Sequence, residues 1–230
     1  MIFTAPEFSN LSPAAQADLR AAAQTRRFAN NQFVYLQDDD AEALFFVLVG
    51  HVRLSYLMED GSAVLFSILP CGEIFGELGV FEGGRYCDMA TAIGATTIAS
   101  VPAAAYISLS SRHAELAAAL GKLVARRYRS YIGLTRDLSL RTLQARLAQA
   151  LLRIADTLNA PVVRDGVKIA SIGQMVTQTD LGLMARGARG NVNRILKDWE
   201  RSGLVAICDR TILILDRERL ESLPLEEGIP

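Results

Sequence analysis

The stretch QTDLGLMARGARGNVNRILKDWERSGL, Gln178 to Leu204, decides how the rest of the chain is read. Gln178 or Thr179 opens a short helix whose inward residues are Leu181 and Met184, Arg186-Gly187-Ala188 turns the chain, and a second helix runs from about Arg189 to Ser202. Along the second helix Val192, Ile195, Leu196 and Trp199 fall at steps of three, one and three, which is one face of an α-helix. The opposite face carries Arg189, Gly190, Asn191, Asn193, Arg194 and Lys197, and Gly203 supplies the C′ residue that ends the helix. Two short helices joined by a glycine turn have the pattern of a helix-turn-helix. Guanidinium forks pair with guanine O6 and N7, and Asn carboxamides with adenine N6 and N7. Arg186, Arg189, Asn191, Asn193, Arg194 and Lys197 are therefore the candidate DNA-contacting residues.

The charge distribution points to the same place. The 24 basic and 25 acidic side chains nearly cancel over 230 residues. Residues 1 to 138 hold 11 basic and 14 acidic groups, whereas residues 139 to 220 hold 13 and 8. From Leu181 to Lys197 there are four basic side chains and no carboxylate, a local field that attracts a polyanion. A basic helical face that is merely solvated is the alternative. Charge, asparagine content and turn spacing coincide in one element, which favours double-stranded DNA as the partner. Thr211 to Leu215, following Cys208-Asp209-Arg210, reads as a strand that makes the helix-turn-helix a winged one and sets Arg210 near a phosphate.

Working back toward the N-terminus, Leu143 to Leu158 is helical, with Leu147, Leu151, Ile154 and Leu158 on one face. Asp165-Gly166 between short valine-rich runs marks a hairpin. Arg112 to Leu138 reads as one long helix whose stripe is Leu116, Leu120, Leu123, Val124, Tyr128, Tyr131 and Leu138. At 1.5 Å per residue it is too long for a small barrel to cover, so part of the stripe is expected to bury against a second copy. Gln32 to Val101 reads as strands, with turns at Gln37–Asp40, Val49-Gly50, Glu59–Ser62, Pro70–Gly72 and Glu82–Gly84. Turns every 8 to 12 residues or so favour a jelly-roll β-barrel. Ser12 and Pro13 open a helix through Thr25. The expected fold class is thus α+β: a jelly-roll sensor domain over residues 1–110, a dimerisation helix over 111–138 and a winged helix-turn-helix over 139–230.

At this point a family resemblance is visible. FFVLVGHVRL (Phe45–Leu54), GEIFGELGVFEGG (Gly72–Gly84), ARRYR (Ala125–Arg129) and VNRILKDWERSGLV (Val192–Val205) resemble, in order and separation, the Crp-Fnr family of bacterial transcription regulators. The resemblance covers nearly the whole chain. It implies a cyclic-nucleotide-binding jelly roll, a homodimer joined along the long helix, a winged helix-turn-helix, and RNA polymerase as a protein partner. It makes Arg189 and Arg194 base-reading arginines. Gly190 stands where a family glutamate reads a cytosine, and a glycine neither accepts from a cytosine amino group nor rejects another base.

The resemblance also implies an effector pocket, with Gly76 offering a backbone amide to a phosphate and Glu77 a carboxylate to a ribose hydroxyl. The family's Arg-Ser pair falls on Cys87 and Asp88, so a carboxylate replaces the phosphate-binding guanidinium. The Thr-Ser pair that reaches the base falls on Tyr131 and Ile132. Arg85, two residues ahead of the required place, compensates only if the loop shifts. Cyclic AMP is expected to bind poorly, and the effector is unknown.

Other classes fit less well. The apolar runs are far shorter than the roughly 20 residues of a membrane span, and Met1 to Asn10 lacks the basic lead of a secretory signal, so the cytoplasm is the expected compartment. Cys71, Cys87 and Cys208 form neither a disulfide framework nor a metal motif, and no cofactor or metal is expected. No cysteine precedes Asn31, which argues against an iron–sulfur cluster, and only His51 and His113 are available as haem ligands, His51 reading as a surface residue. Cys87 beside Arg85 reads either as a small buried thiol or as a redox switch with a lowered pKa. No hydrolase, P-loop or dinucleotide motif occurs, so the chain is read as a regulator and not an enzyme. The competing reading is a small-molecule or redox sensor whose output is a protein–protein contact.

Overall fold

The structure is a computed structural model that describes residues 5–164 and 166–223. The elements are α1 (Pro13–Ala22), β1 (Gln24–Phe28), β2 (Phe33–Tyr35), β3 (Ala43–Leu57), β4 (Ala63–Leu69), β5 (Ile74–Phe75), α2 (Glu77–Glu82), β6 (Met89–Pro102), α3 (Ala103–Arg112) and α4 (Ala114–Leu138). They continue with α5 (Leu143–Leu158), β7 (Val162–Arg164), β8 (Val167–Ile169), β9 (Ser171–Ile172), α6 (Gln178–Ala185), α7 (Arg189–Arg201), β10 (Val205–Cys208), β11 (Thr211–Ile214) and α8 (Arg217–Ser222). Two compact units result, one of residues up to Ser62 with Ser67–Tyr131, the other of Ala63–Phe66 with the residues from Ile132 onward.

The first unit is the jelly-roll β domain. Within it β6 lies between β1 and β3, with β2 also on β6 and β5 on β3. Ser12 caps α1 as its sequence predicts, its hydroxyl accepting from Ala15 N. The helix stops at Ala22 rather than Thr25, because Gln24 to Phe28 pair with Ser100 to Thr96 as a strand. Val49-Gly50 is not a reversal. Strand β3 runs straight through it, and the register against β6 slips on both sides of Val49 while Gly50 takes a φ of 84°. Both β3 and β6 are consequently longer than the spacing of turn signals suggested.

Two apolar clusters fill this unit. Phe8, Leu19, Leu44, Phe46, Ile74 and Tyr106 belong to one, together with Leu116, Leu120 and Leu123 of α4. Tyr35, Val47, Phe75, Tyr86 and Ile98 belong to the other. The expected long helix is α4, which begins at Ala114 rather than Arg112 because His113 leaves helical geometry and ends a separate preceding helix, α3. The expected stripe divides. Leu116, Leu120 and Leu123 are buried, whereas Tyr128 is 64% exposed and points elsewhere.

In the second unit Thr142 caps α5 by accepting from Ala145 N. Helix α5 buries Leu147, Leu151 and Ile154 and packs against α6 and α8. Strands β7 and β8 form the expected hairpin through Val162↔Ile169 and Arg164↔Val167; Asp165 of its turn lies outside the described residues. A three-stranded sheet of order β10-β11-β9 completes the unit. No described helix is long and apolar enough to cross a membrane.

Candidate nucleic-acid interface and effector cavity

The helix-turn-helix is shaped by its ends. Thr177, one residue before the expected start, caps α6: its hydroxyl accepts from Asp180 N, and Asp180 Oδ2 accepts from Thr177 N at 2.8 Å. This reciprocal pair satisfies two amides that a helix start leaves open. Helix α6 ends at Arg186, which takes a left-handed φ of 51°. Gly187 N then donates to Gly182 O at 2.9 Å, and a Cβ on Gly182 would lie 2.5 Å from Gly187 O, so only glycine permits so tight a return.

Helix α7 buries Val192, Ile195, Leu196 and Trp199, as expected. Each such side chain contributes about 1.5–3 kcal/mol when removed from water, which fixes the rotation of the helix about its axis. Arg189, Asn191, Arg194 and Lys197 are therefore exposed, and so is Arg186 in the turn. Asn193 is half-buried and its Oδ1 accepts from Gln178 Nε2 at 3.2 Å, tying α7 to the start of α6. Gly190 meets no steric demand, since a Cβ there would have open space around it.

Two grooves flank α7. One of about 470 Å³ collects Arg189 with Thr177, Gln178 and Thr179 at the start of α6 and Arg210 of the wing. The other, about 350 Å³, places Asn191 and Arg194 opposite Thr142 and Gln144 at the start of α5, with Asp198 on its rim. The wing is the β10–β11 hairpin, closed by Asp209 and Arg210 at φ 47° and 61°. Two left-handed residues in succession make the tight turn that matches strand twist, and Arg210 stands at its tip.

Five of the six residues expected around the effector pocket come together. Gly76, Glu77, Cys87, Asp88 and Tyr131 line one cavity of about 10 Å³, with Leu78, Gly79 and Tyr86. Arg85 does not join them: it lies at the surface, 3.8 Å from Asp40. Gly76 has a φ of 79°, and a Cβ would stand 3.1 Å from Ala43 O and Phe45, so this position is fixed by backbone geometry. Glu77 is buried, and its Oε1 accepts from Arg127 Nε at 2.9 Å; Arg127 Nη2 also donates to Ile74 O at 2.9 Å. Tyr35 OH donates to Asp88 Oδ1 at 2.7 Å. Burial, opposed by the Tyr35 hydrogen bond and augmented by Glu77, pushes the Asp88 carboxyl up to about 6. Burial and the Asp88 charge also raise the phenols of Tyr35 and Tyr131.

Cys87 corrects both sequence expectations. The residue is exposed, not a core thiol. Burial of part of its side chain, with Asp88 and Glu77 beside it, pushes the thiol up to about 12, the reverse of the activation a redox switch requires. His51 is half-buried rather than at the surface, and that burial lowers its pKa. His113 Nε2 lies 2.9 Å from Asp18 Oδ2. Among the described residues no group of His, Cys, Asp and Glu has the geometry to hold a metal ion.

Sequence reasoning overlooked Arg127, Tyr35 and Thr177. Arg127 carried a readable signal: it continues the buried series Leu116, Leu120, Leu123 by a step of four, and a charge on a buried stripe implies a buried partner. Tyr35 carried none, because its partner is 53 residues away.

Residues 25–113 match the family model of the cyclic nucleotide-binding domain, and residues 145–223 that of the Crp-like helix-turn-helix domain. The cAMP-activated global transcriptional regulator Vfr of Pseudomonas aeruginosa is 28% identical over 200 residues, 85% of this chain and 91% of Vfr. A CRP-like cAMP-activated global transcriptional regulator of Mycobacterium tuberculosis is 26% identical over 213 residues, 93% of each chain. Among solved structures, a CRP-family transcriptional regulator from Thermus thermophilus gives a TM-score of 0.67 at 26% identity, covering 85% of this chain and 94% of the other. FixK2 from Bradyrhizobium japonicum gives 0.76 at 22% identity over 87% and 96%, a likeness of fold. A β domain of the cyclic nucleotide-binding type followed in the same chain by a Crp-like helix-turn-helix defines a transcription regulator. The chain belongs to the Crp-Fnr family of DNA-binding transcription regulators.

Proposed function

We propose that the protein acts as a homodimer on a near-palindromic DNA site and that cyclic AMP does not control it. The observation that carries the DNA reading is the exposed face of α7, with Arg189, Asn191, Arg194 and Lys197 set opposite a buried Val192, Ile195, Leu196 and Trp199. Arg189 and Arg194 are offered to guanines, Asn191 to an adenine, and Arg186, Lys197 and Arg210 to phosphates. Asn193 positions α7 through Gln178 instead of reading a base. Pairing two copies through α4 sets the recognition helices about 34 Å apart in successive major grooves. Ala117, Ala118, Ala125, Tyr128 and Ile132 are exposed on that helix and supply an apolar surface for the pairing. Contact with RNA polymerase and a cytoplasmic setting belong to the same reading.

The residues around the effector cavity do not fit a cyclic phosphate. Its volume of about 10 Å³ is room for one water, against the 300 Å³ or more of an ordinary ligand pocket. A phosphate there meets the Asp88 carboxyl, and the nearest guanidinium, Arg127, is committed to Glu77.

Selection from random duplexes by the purified protein tests the DNA reading, with an enriched two-fold motif as the expected result. A folded dimer that enriches nothing refutes it. A steep loss of affinity with salt separates phosphate neutralisation from contact with an acidic protein. Thermal midpoints unchanged by cyclic AMP, cyclic GMP and cyclic di-GMP are expected; a rise of several degrees with cyclic AMP overturns the pocket reading.

A further inference from the structure

The effector cavity holds more negative than positive groups. Two buried carboxyl groups, Glu77 and Asp88, line a space the size of one water molecule, and the guanidinium buried with them, Arg127, is bonded to Glu77. Asp88 receives a neutral phenol, that of Tyr35 from β2. The groups that face Asp88 come from every element around it: Tyr35 from β2, Glu77 from α2, Cys87 beside it in the chain, and Arg127 with Tyr131 from α4. A carboxylate held in such a place without its own cation is neutralised more cheaply than it is solvated. No organic ligand fits about 10 Å³, but a proton does.

We propose that the ligand of this cavity is a proton, taken from solvent by the Asp88 carboxylate, and that the β domain holds α4 more tightly when Asp88 carries it. The proposal rests on the reading that the pocket takes no cyclic nucleotide, and it assigns that pocket a different signal. With Asp88 neutral, Glu77 and Arg127 are a balanced pair and Tyr131 abuts an uncharged acid. With Asp88 ionised, the excess negative charge presses on Glu77 and Tyr131 across the same cavity. Helix α4 leads on to the DNA-binding residues, so a helix already fixed costs less to order when DNA binds.

The sign follows from the raised Asp88 pKa of about 6. An unfolded aspartate titrates near 3.9. Between those values the folded chain holds a proton that the unfolded chain has lost, so stability falls as pH rises through that window and is level above it. Asp88→Asn mimics the protonated acid and removes this dependence.

The experiment uses the full-length protein. Its aspartate carboxyl carbons are followed by NMR from pH 4 to 8, with the Asp88 signal identified by its loss in Asp88→Asn. A midpoint near 6 is expected, and in Tyr35→Phe a higher one, since the lost hydrogen bond favoured the charged form. DNA affinity on the selected site is then compared at pH 5.5 and 7.5 in a constant buffer of fixed salt. Wild type is expected to bind at least about threefold more tightly at the lower pH relative to Asp88→Asn, whose own pH dependence is the control. An Asp88 midpoint near 4 overturns the proposal, and so does a titrating Asp88 with identical pH dependence of DNA binding in the two proteins. If Asp88→Asn does not fold, the Asp88 signal is identified as the one displaced in Tyr35→Phe, and a DNA affinity whose pH dependence is the same in wild type and Tyr35→Phe overturns the proposal. Failure to select any DNA site refutes the regulator reading separately and leaves the carboxyl titration intact as a measurement.

Discussion

Arg127 Nε donates to Glu77 Oε1 at 2.9 Å with the two side chains only 5% and 3% exposed. One partner sits on α4 and the other opens α2, so the pair pins the long helix to the effector cavity. Burial opposes the Arg127 charge, yet Glu77 and the neighbouring groups hold its pKa raised. Glu77→Ala is expected to cost about 3–5 kcal/mol, because it strands a buried cation. Removing both charges with Glu77→Leu and Arg127→Met is expected to cost much less than the sum of the single changes. Urea unfolding of the four proteins measures the non-additivity, and additive losses sink the claim that the two side chains act as one unit.

On the proposed reading, base reading and phosphate contact fall to different residues of the second unit. Arg194→Ala is expected to weaken specific binding by about 1–3 kcal/mol and to relax one base position in each half-site. Arg210→Ala removes a charge from the wing tip, and is expected to weaken all sequences alike while lowering the salt slope by about one per protomer. Anisotropy titrations over a range of salt, on the selected site and on variants of it, distinguish the two patterns. A change of sequence preference in Arg210→Ala overturns the assignment of that side chain to a phosphate.

The recognition helix was legible in the sequence because a core contact fixes its rotation. Once Val192, Ile195, Leu196 and Trp199 are placed inward, Arg189, Asn191, Arg194 and Lys197 have nowhere to go but out. Asn193 falls between those faces, and its bond to Gln178 depends on how α6 crosses α7, which no single-helix period contains. In the β domain, Val49-Gly50 mimics a turn because glycine serves bulges and reversals equally; only pairing with β6 decides which. Helix α2, which Glu77 opens, has six residues, too few for a period to show. The pocket was legible as a set of residues and illegible as a volume. Cys87 illustrates why: adjacency to Arg85 suggested activation, whereas in space its thiol faces the carboxyl groups of Asp88 and Glu77 while Arg85 turns to Asp40.

That arrangement predicts a slow thiol. With its pKa pushed up to about 12, Cys87 holds little thiolate at pH 8.5, and thiolate is the nucleophile. Its alkylation by iodoacetamide in the native protein is expected to be at least about tenfold slower than in the urea-unfolded protein, where the thiol returns to its usual value near 8.5. Peptide mass mapping of the Cys87 site gives both rates. Equal rates exclude this account, in which partial burial of the side chain and the two neighbouring carboxyl groups together disfavour the thiolate.

The capping box at Thr177 yields a local prediction. Its hydroxyl accepts from Asp180 N, and Asp180 Oδ2 accepts from Thr177 N and from the Thr177 hydroxyl, both at 2.8 Å. Thr177→Ala is expected to cost about 0.5–2 kcal/mol, and Thr177→Ser, which keeps the oxygen, only a few tenths. Trp199, the single tryptophan of the chain, is buried in the same unit, so its fluorescence follows the unfolding that α6 shares. Helix α6 supports α7 through Gln178 and Asn193, so fraying at Thr177 also loosens the recognition helix. DNA affinity in Thr177→Ala is therefore expected to fall without any change in the preferred bases. Hydrogen exchange across α6 and α7, compared between Thr177→Ala and Thr177→Ser, checks the coupling: faster exchange confined to the first turn of α6, with α7 unaltered, shows that the cap does not reach the reading face.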